Sequence, residues 1–219
     1  MKKGLTELVF ILDRSGSMAG LEADTIGGFN GMLGKQKMEE GEANVTTVLF
    51  DDQIEVIHDR FAIDLVKPLD EKDYYVRGCT ALLDAVGGTV KKMENIQKRL
   101  PDEWQAEKVI FVITTDGQEN ASREYTAKMV KEMIGENQKR GWQFLFLGAN
   151  IDAVEEAGKL GICKSHAVTY KNDARGVQLN YEATEKIVSC MRSAAYSAEE
   201  AEVLIPKFLR PVKEHMEKA

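Results

Sequence analysis

Apolar and polar positions fall in blocks along the chain. Residues 8 to 12, Leu-Val-Phe-Ile-Leu, are apolar without a break, as expected of a strand buried on both faces. The first strand is therefore placed at 7 to 12. Similar blocks occur in "KVIFVITTDG" (108 to 117) and "WQFLFLGAN" (142 to 150), each ending in polar residues, and "HAVTY" (166 to 170) reads as a last strand. Helical spacing links Ile26, Phe29, Met32 and Leu33 within 21 to 39, and Leu82, Val86, Val90 and Met93 within 80 to 100. It also links Tyr125, Met129, Met133 and Ile134 within 122 to 139. A short helix is predicted over 151 to 160, and Val177, Tyr181, Thr184, Val188 and Met191 mark a long one after the last strand. Gly27, Gly28, Gly31 and Gly34 each weaken the second-element helix by roughly 1 kcal/mol relative to Ala. One of its faces is therefore expected to pack closely against a neighbour.

Strands alternating with helices predict an α/β fold, a Rossmann-like doubly wound sheet that is mostly parallel. The exception is 44 to 50 and 53 to 58, which adjoin through Asp51-Asp52 and predict one antiparallel edge strand. Asp51-Asp52 either extends the polar cluster at the neighbouring strand ends or, the reading favoured by turn chemistry, forms a solvated hairpin. After Ser197 the pattern changes. Ser197-x-x-Glu200 is a capping-box start, and Pro206 and Pro211 are expected to interrupt the helix that follows. The division expected is a domain over 5–196 and a short C-terminal helical appendage over 197–219, with Lys207, Arg210 and Lys213 on a solvated face.

Composition narrows the function. Of 219 residues, 43% are hydrophobic and 30% charged, an ordinary globular balance that can bury a core without staples. The net charge of −7 argues against nucleic acid or an anionic membrane as partner. Three widely spaced cysteines, Cys79, Cys163 and Cys190, fit a reducing compartment better than a disulfide framework. No run is apolar enough for a signal core or a membrane span, so a cytoplasmic location is expected.

In open α/β sheets ligands bind beyond the carboxyl ends of the strands. Asp13, Ser15 and Ser17 follow the first strand, and Thr114, Thr115 and Asp116 end the strand of "ITTDG". Mg²⁺ takes six oxygens and usually only one or two carboxylates. Asp13 and Asp116 can supply the charge, directly or through water, and Ser15 and Ser17 neutral hydroxyls. Neutral ligands leave the cation acidic enough to want one further anionic oxygen from outside. The plainer alternative is a strand-to-helix loop in which Asp13 and the serines cap the next helix. Glu119 and Asn120 either rim the same surface or lead into a helix. Cys163-x-x-His166, with Cys190, lacks a fourth zinc ligand. The four glycines fall inside a helical pattern, which does not match a dinucleotide fingerprint.

An apolar strand followed by Asp13-x-Ser15-x-Ser17 resembles the metal-ion-dependent adhesion site of the von Willebrand factor A (VWA) domain family. "RGCTALLDAV" resembles its Gly-Gly-Thr-x-Leu-x-x-Ala segment, and "FVITTDGQEN" its strand ending in Thr-Asp-Gly. The similarity covers roughly 5 to 195 in element order. It implies a VWA fold in a stand-alone cytosolic member of bacterial or phage type. Ser15, Ser17 and Thr80 would coordinate Mg²⁺ (or Mn²⁺ or Ca²⁺) by hydroxyl, and Asp13 and Asp116 directly or through water. The sixth ligand would be an Asp or Glu exposed on a partner protein. The resemblance also implies that ligand capture can shift the last helix of the domain. Cys79 stands where the family usually has a second glycine. A thiol is a poor Mg²⁺ ligand, so Cys79 is expected to pack beside the loop.

The expected function is a metal-dependent protein-binding module and not an enzyme. The alternative is a metal-assisted hydrolase of a phosphoester. It is disfavoured by Ser15, which stands where a phospho-transferring Asp usually has a second acid, and by the lack of Lys or His in the motif segments. Serine catalysis lacks a G-x-S-x-G elbow.

Overall fold

A computed structural model describes residues 1–149, 151–193 and 198–217, without the side chains of 198–202. One six-stranded sheet runs through it in the order β3-β2-β1-β4-β5-β6. The strands are β1 (Lys2–Asp13), β2 (Ala43–Phe50), β3 (Ile54–Ala62), β4 (Ala106–Thr115), β5 (Gln143–Ala149) and β6 (Ala167–Tyr170). All neighbours are parallel except β2 and β3, so the expected antiparallel edge strand is present. The helices are α1 (Glu22–Gln36), α2 (Leu82–Arg99), α3 (Ala127–Gln138), α4 (Ala153–Lys159), α5 (Ala174–Arg192) and α6 (Ala198–Glu217).

The continuous apolar run of β1 follows from its central position. Successive side chains of a strand point to opposite faces. Leu8, Phe10 and Leu12 enter a core with Phe29 and Met32 of α1, Ile187 and Met191 of α5, and Ile205 and Leu209 of α6. Val9 and Ile11 enter a second core with Val86 and Val90 of α2, Val130 and Ile134 of α3, and Ala157 of α4. The close packing expected of the glycine-rich α1 occurs at Gly28, where a Cβ would stand 2.2 Å from the Tyr181 ring.

Two elements depart from the sequence expectation. The segment 122 to 126 is irregular, and α3 begins only at Ala127. The backbone N–H groups of Arg123, Glu124 and Tyr125 donate to the Asp84 carboxylate, which holds this stretch off the helical path. Pro206 and Pro211 do not interrupt the last helix; both lie inside α6. Each removes one backbone donor, but burial of Ile205, Leu209 and Val212 against the sheet holds the helix in line. The segment expected as an appendage thus supplies side chains to the main core. Ser197 of the capping box lies outside the described residues. Among the described residues no helix is long and apolar enough to cross a membrane.

β1 has β2 on one side and β4 on the other. The chain therefore leaves β1 and β4 in opposite directions, which opens a crevice between their carboxyl ends, where doubly wound sheets bind ligands.

Candidate metal centre

Asp13 is the last residue of β1, and Asp116 follows the last residue of β4. Parallel pairing of the two strands brings them to the same crevice. The turn after Asp13 is fixed by Ser15 N–H donating to Asp13 Oδ1 at 2.7 Å. A single 3-10 turn over Gly16–Met18 then presents Ser17. Thr80 arrives from the loop before α2. Its backbone is clamped by the segment after β4: Thr80 N–H donates to Asn120 Oδ1 at 2.9 Å, and Thr80 C=O accepts from Asn120 and Ala121 N–H.

The side-chain oxygens converge. Thr80 Oγ1 donates to Ser15 Oγ at 3.0 Å, Ser15 Oγ lies 3.1 Å from Ser17 Oγ, and Ser17 Oγ donates to Asp116 Oδ1 at 2.5 Å. Thr115 Oγ1 donates to Asp13 Oδ2 at 2.5 Å. All five residues singled out in the sequence (Asp13, Ser15, Ser17, Thr80 and Asp116) thus meet in one cluster. Four of them are buried, and Ser17 is exposed and marks the open side.

Electrostatics show what this cluster could hold. Burial raises the Asp13 carboxyl above its usual pKa, against hydrogen bonds from Thr115 and Ser15. Burial, with a contribution from the Asp13 charge, pushes Asp116 up to about 6. Two desolvated carboxylates side by side are costly as anions, and a cation between them removes that cost. The donors are all hard oxygens, which suits Mg²⁺, Mn²⁺ or Ca²⁺ better than a soft ion. Gly117 gives a second sign of fit. A Cβ there would stand 2.5 Å from Thr80 Oγ1 and 3.2 Å from Ser17 Oγ, so the glycine leaves room for the hydroxyls to gather. The residues fit a hard divalent cation.

Several contributors were not legible in sequence. Tyr74 is buried and donates its hydroxyl to Asp13 C=O at 2.6 Å. Glu119, instead of rimming an outer surface, accepts from Leu83, Ala121 and Ser122 N–H and so caps the start of α2. Asn172 Nδ2 reaches Asp116 Oδ2 at 3.5 Å. Thr114, by the alternation of β4, faces the α1–α5 layer and takes no part in the cluster. Asp51 is not a solvated hairpin residue. It is fully buried, and its Oδ2 accepts from Arg14 Nε at 2.9 Å and Arg77 Nε at 2.7 Å. Cys79 is exposed and not packed beside the loop, and of its two neighbours only Thr80 is buried. Cys163 and His166 both hydrogen-bond Ser165, and no three His, Cys, Asp or Glu gather among the described residues. His58 is buried against Thr47, and His215 pairs with Asp173.

The sheet order, the antiparallel edge and the flanking helices are those of the VWA fold. Proximal thread matrix protein 1 from the mussel byssus superposes with a TM-score of 0.57 at 15% identity over 85% of this chain. A structure of the same mussel protein with a zinc-occupied MIDAS motif superposes with a TM-score of 0.56 at 17% identity. This chain covers 46% of the length of that protein. No family model matches the sequence, and no curated protein matches it.

Proposed function

We propose that this chain is a divalent-metal-dependent protein-binding module of the VWA type. Ser15, Ser17 and Thr80 would hold Mg²⁺, or Mn²⁺ or Ca²⁺, by hydroxyl, with Asp13 and Asp116 binding directly or through water. An exposed Asp or Glu of a partner protein would complete the shell. The bound cation supplies Lewis acidity and positive charge at the crevice mouth. The chain's own part is to keep its donors mostly neutral, so that the charge is not quenched, and to leave the Ser17 side open.

The observation that carries this reading is the donor set itself: three hydroxyls and two desolvated carboxylates brought to one crevice from three separate loops. Binding is favoured over hydrolysis by the neighbours. Among the described residues, the side chains that hydrogen-bond the two carboxylates include Ser17, Thr115 and Asn172, and the backbone N–H groups of Ser15 and Asp116 also reach Asp13. None of these is a general acid for a leaving group. The acidic surface and the cytoplasmic setting expected from composition belong to the same proposal, with a protein as partner and neither nucleic acid nor membrane.

The test is capture of partner proteins on the immobilised chain in Mg²⁺, in EDTA and with Asp13→Ala. Partners released by EDTA and absent from the variant support the bridge. Partners retained under all three conditions refute it.

A further inference from the structure

The residue that joins the ligand loops is not itself one of the proposed ligands. Asp51 sits at the β2–β3 hairpin. Its Oδ2 accepts from Arg14 Nε at 2.9 Å and Arg77 Nε at 2.7 Å, and its Oδ1 from Gln53 N–H at 2.7 Å. Its backbone C=O accepts from Ala81 N–H at 2.8 Å. Arg14 lies between Asp13 and Ser15, and Arg77 and Ala81 bracket Thr80. One carboxylate and its own carbonyl therefore grip the chain on both sides of the crevice.

The grip is reinforced directly between the two loops. Arg77 N–H donates to Arg14 C=O at 2.9 Å, and Gly16 N–H to Gly78 C=O at 3.2 Å. Gly78 has φ +67°, and a Cβ on it would meet Asp52 Oδ1 at 2.2 Å and Asp51 Cβ at 3.3 Å, so this loop rests on the hairpin. Arg14 is fully buried and also pairs with Glu55 at 2.7 Å. Charge-assisted hydrogen bonds that converge on one fully buried carboxylate oxygen, with backbone bonds beside them, permit little movement of the two loops.

We propose that Asp51 is a positioning residue that sets the separation of the Ser15 and Thr80 loops, and through it the preference of the site for Mg²⁺ over Ca²⁺. Mg²⁺ demands near-octahedral oxygens at about 2.0–2.1 Å, whereas Ca²⁺ accepts looser shells at about 2.3–2.6 Å. A frame held at fixed width favours the small ion, and a slackened frame costs the small ion most. The inference rests on the metal-binding reading above.

The experiment is calorimetric titration of the whole chain with MgCl₂ and, separately, CaCl₂, for wild type, Asp51→Asn and Arg77→Ala. Arg77 is partly exposed, so its variant keeps the test alive if Asp51→Asn does not fold. The expected result is a tenfold or greater loss of Mg²⁺ affinity with Ca²⁺ affinity changed less than threefold. Equal losses for both ions would assign Asp51 a merely structural role, and an unchanged Mg²⁺ affinity would remove it from the site altogether; either overturns the inference alone. A wild-type chain that binds neither ion overturns the metal-binding reading as well.

Discussion

Ser17 and Asp116, 99 positions apart in sequence, are joined by a 2.5 Å hydrogen bond from Ser17 Oγ to Asp116 Oδ1. Folding of β1 beside β4 creates this pair, and it places the exposed hydroxyl of the cluster against the carboxylate whose ionisation is most resisted. Burial and the neighbouring Asp13 charge both oppose the ionised form of that carboxylate.

The pH dependence of the metal-free protein follows. Asp116 is raised to about 6 by burial and the neighbouring Asp13 charge, while an unfolded Asp titrates near ~3.9. Between those values the folded state binds more protons than the unfolded state. Stability from this group is therefore present below about pH 4 and is lost as pH rises through about 6. Asp116→Asn removes the penalty and should stabilise the EDTA-treated protein by on the order of 1 kcal/mol at pH 7, discounted for partial solvation. Thermal melts of both proteins from pH 4 to 7 should show the gap widening in favour of Asn. A gap independent of pH contradicts the assignment.

Gly117→Ala tests the crowding of the hydroxyls. The added Cβ would press on Thr80 Oγ1 at 2.5 Å and force it out of line with Ser15 and Ser17. Mg²⁺ affinity should fall by at least tenfold, roughly 1.4 kcal/mol or more, and the metal-free melting temperature should fall too, since the buried Thr80 hydroxyl loses its bond to Ser15. Calorimetry with MgCl₂ reads the first quantity and a melt in EDTA the second. Unchanged affinity means that Thr80 is not a ligand.

How much of this was legible depended on sequence distance and on local chemistry. The buried strands β1, β4 and β5 announce themselves because both faces are covered and their central runs are apolar without a break. The five candidate ligands are readable because they fall in three short polar segments, at and just after the end of β1, just before α2 and just after β4. Asp51 reads first as a solvated turn and only second as part of the site, because Asp-Asp between two strands has the chemistry of a turn and its partner Arg14 lies 37 positions earlier. The irregular 122 to 126 segment escaped for a similar reason, since the carboxylate that holds it belongs to Asp84 on another helix. Pro206 and Pro211 misled because local propensity was outweighed by burial along one face of α6.

That burial is itself testable. Leu209 is fully buried among residues of the α1–α5 layer. Leu209→Ala should cost about 2–5 kcal/mol in urea-induced unfolding, and the slope of the transition should stay unchanged. A cost below about 0.5 kcal/mol, the level of surface substitutions, would show that α6 is not part of the cooperative core.

The most direct test of the central claim is a crystal of this chain grown with MnCl₂ and measured at the manganese absorption edge. The account predicts a single anomalous peak in the β1–β4 crevice, within coordination distance of Ser15, Ser17 and Thr80 oxygens, with Asp13 and Asp116 bound to it directly or through water. An empty crevice with those five side chains still bonded to one another, or a peak elsewhere, would contradict it.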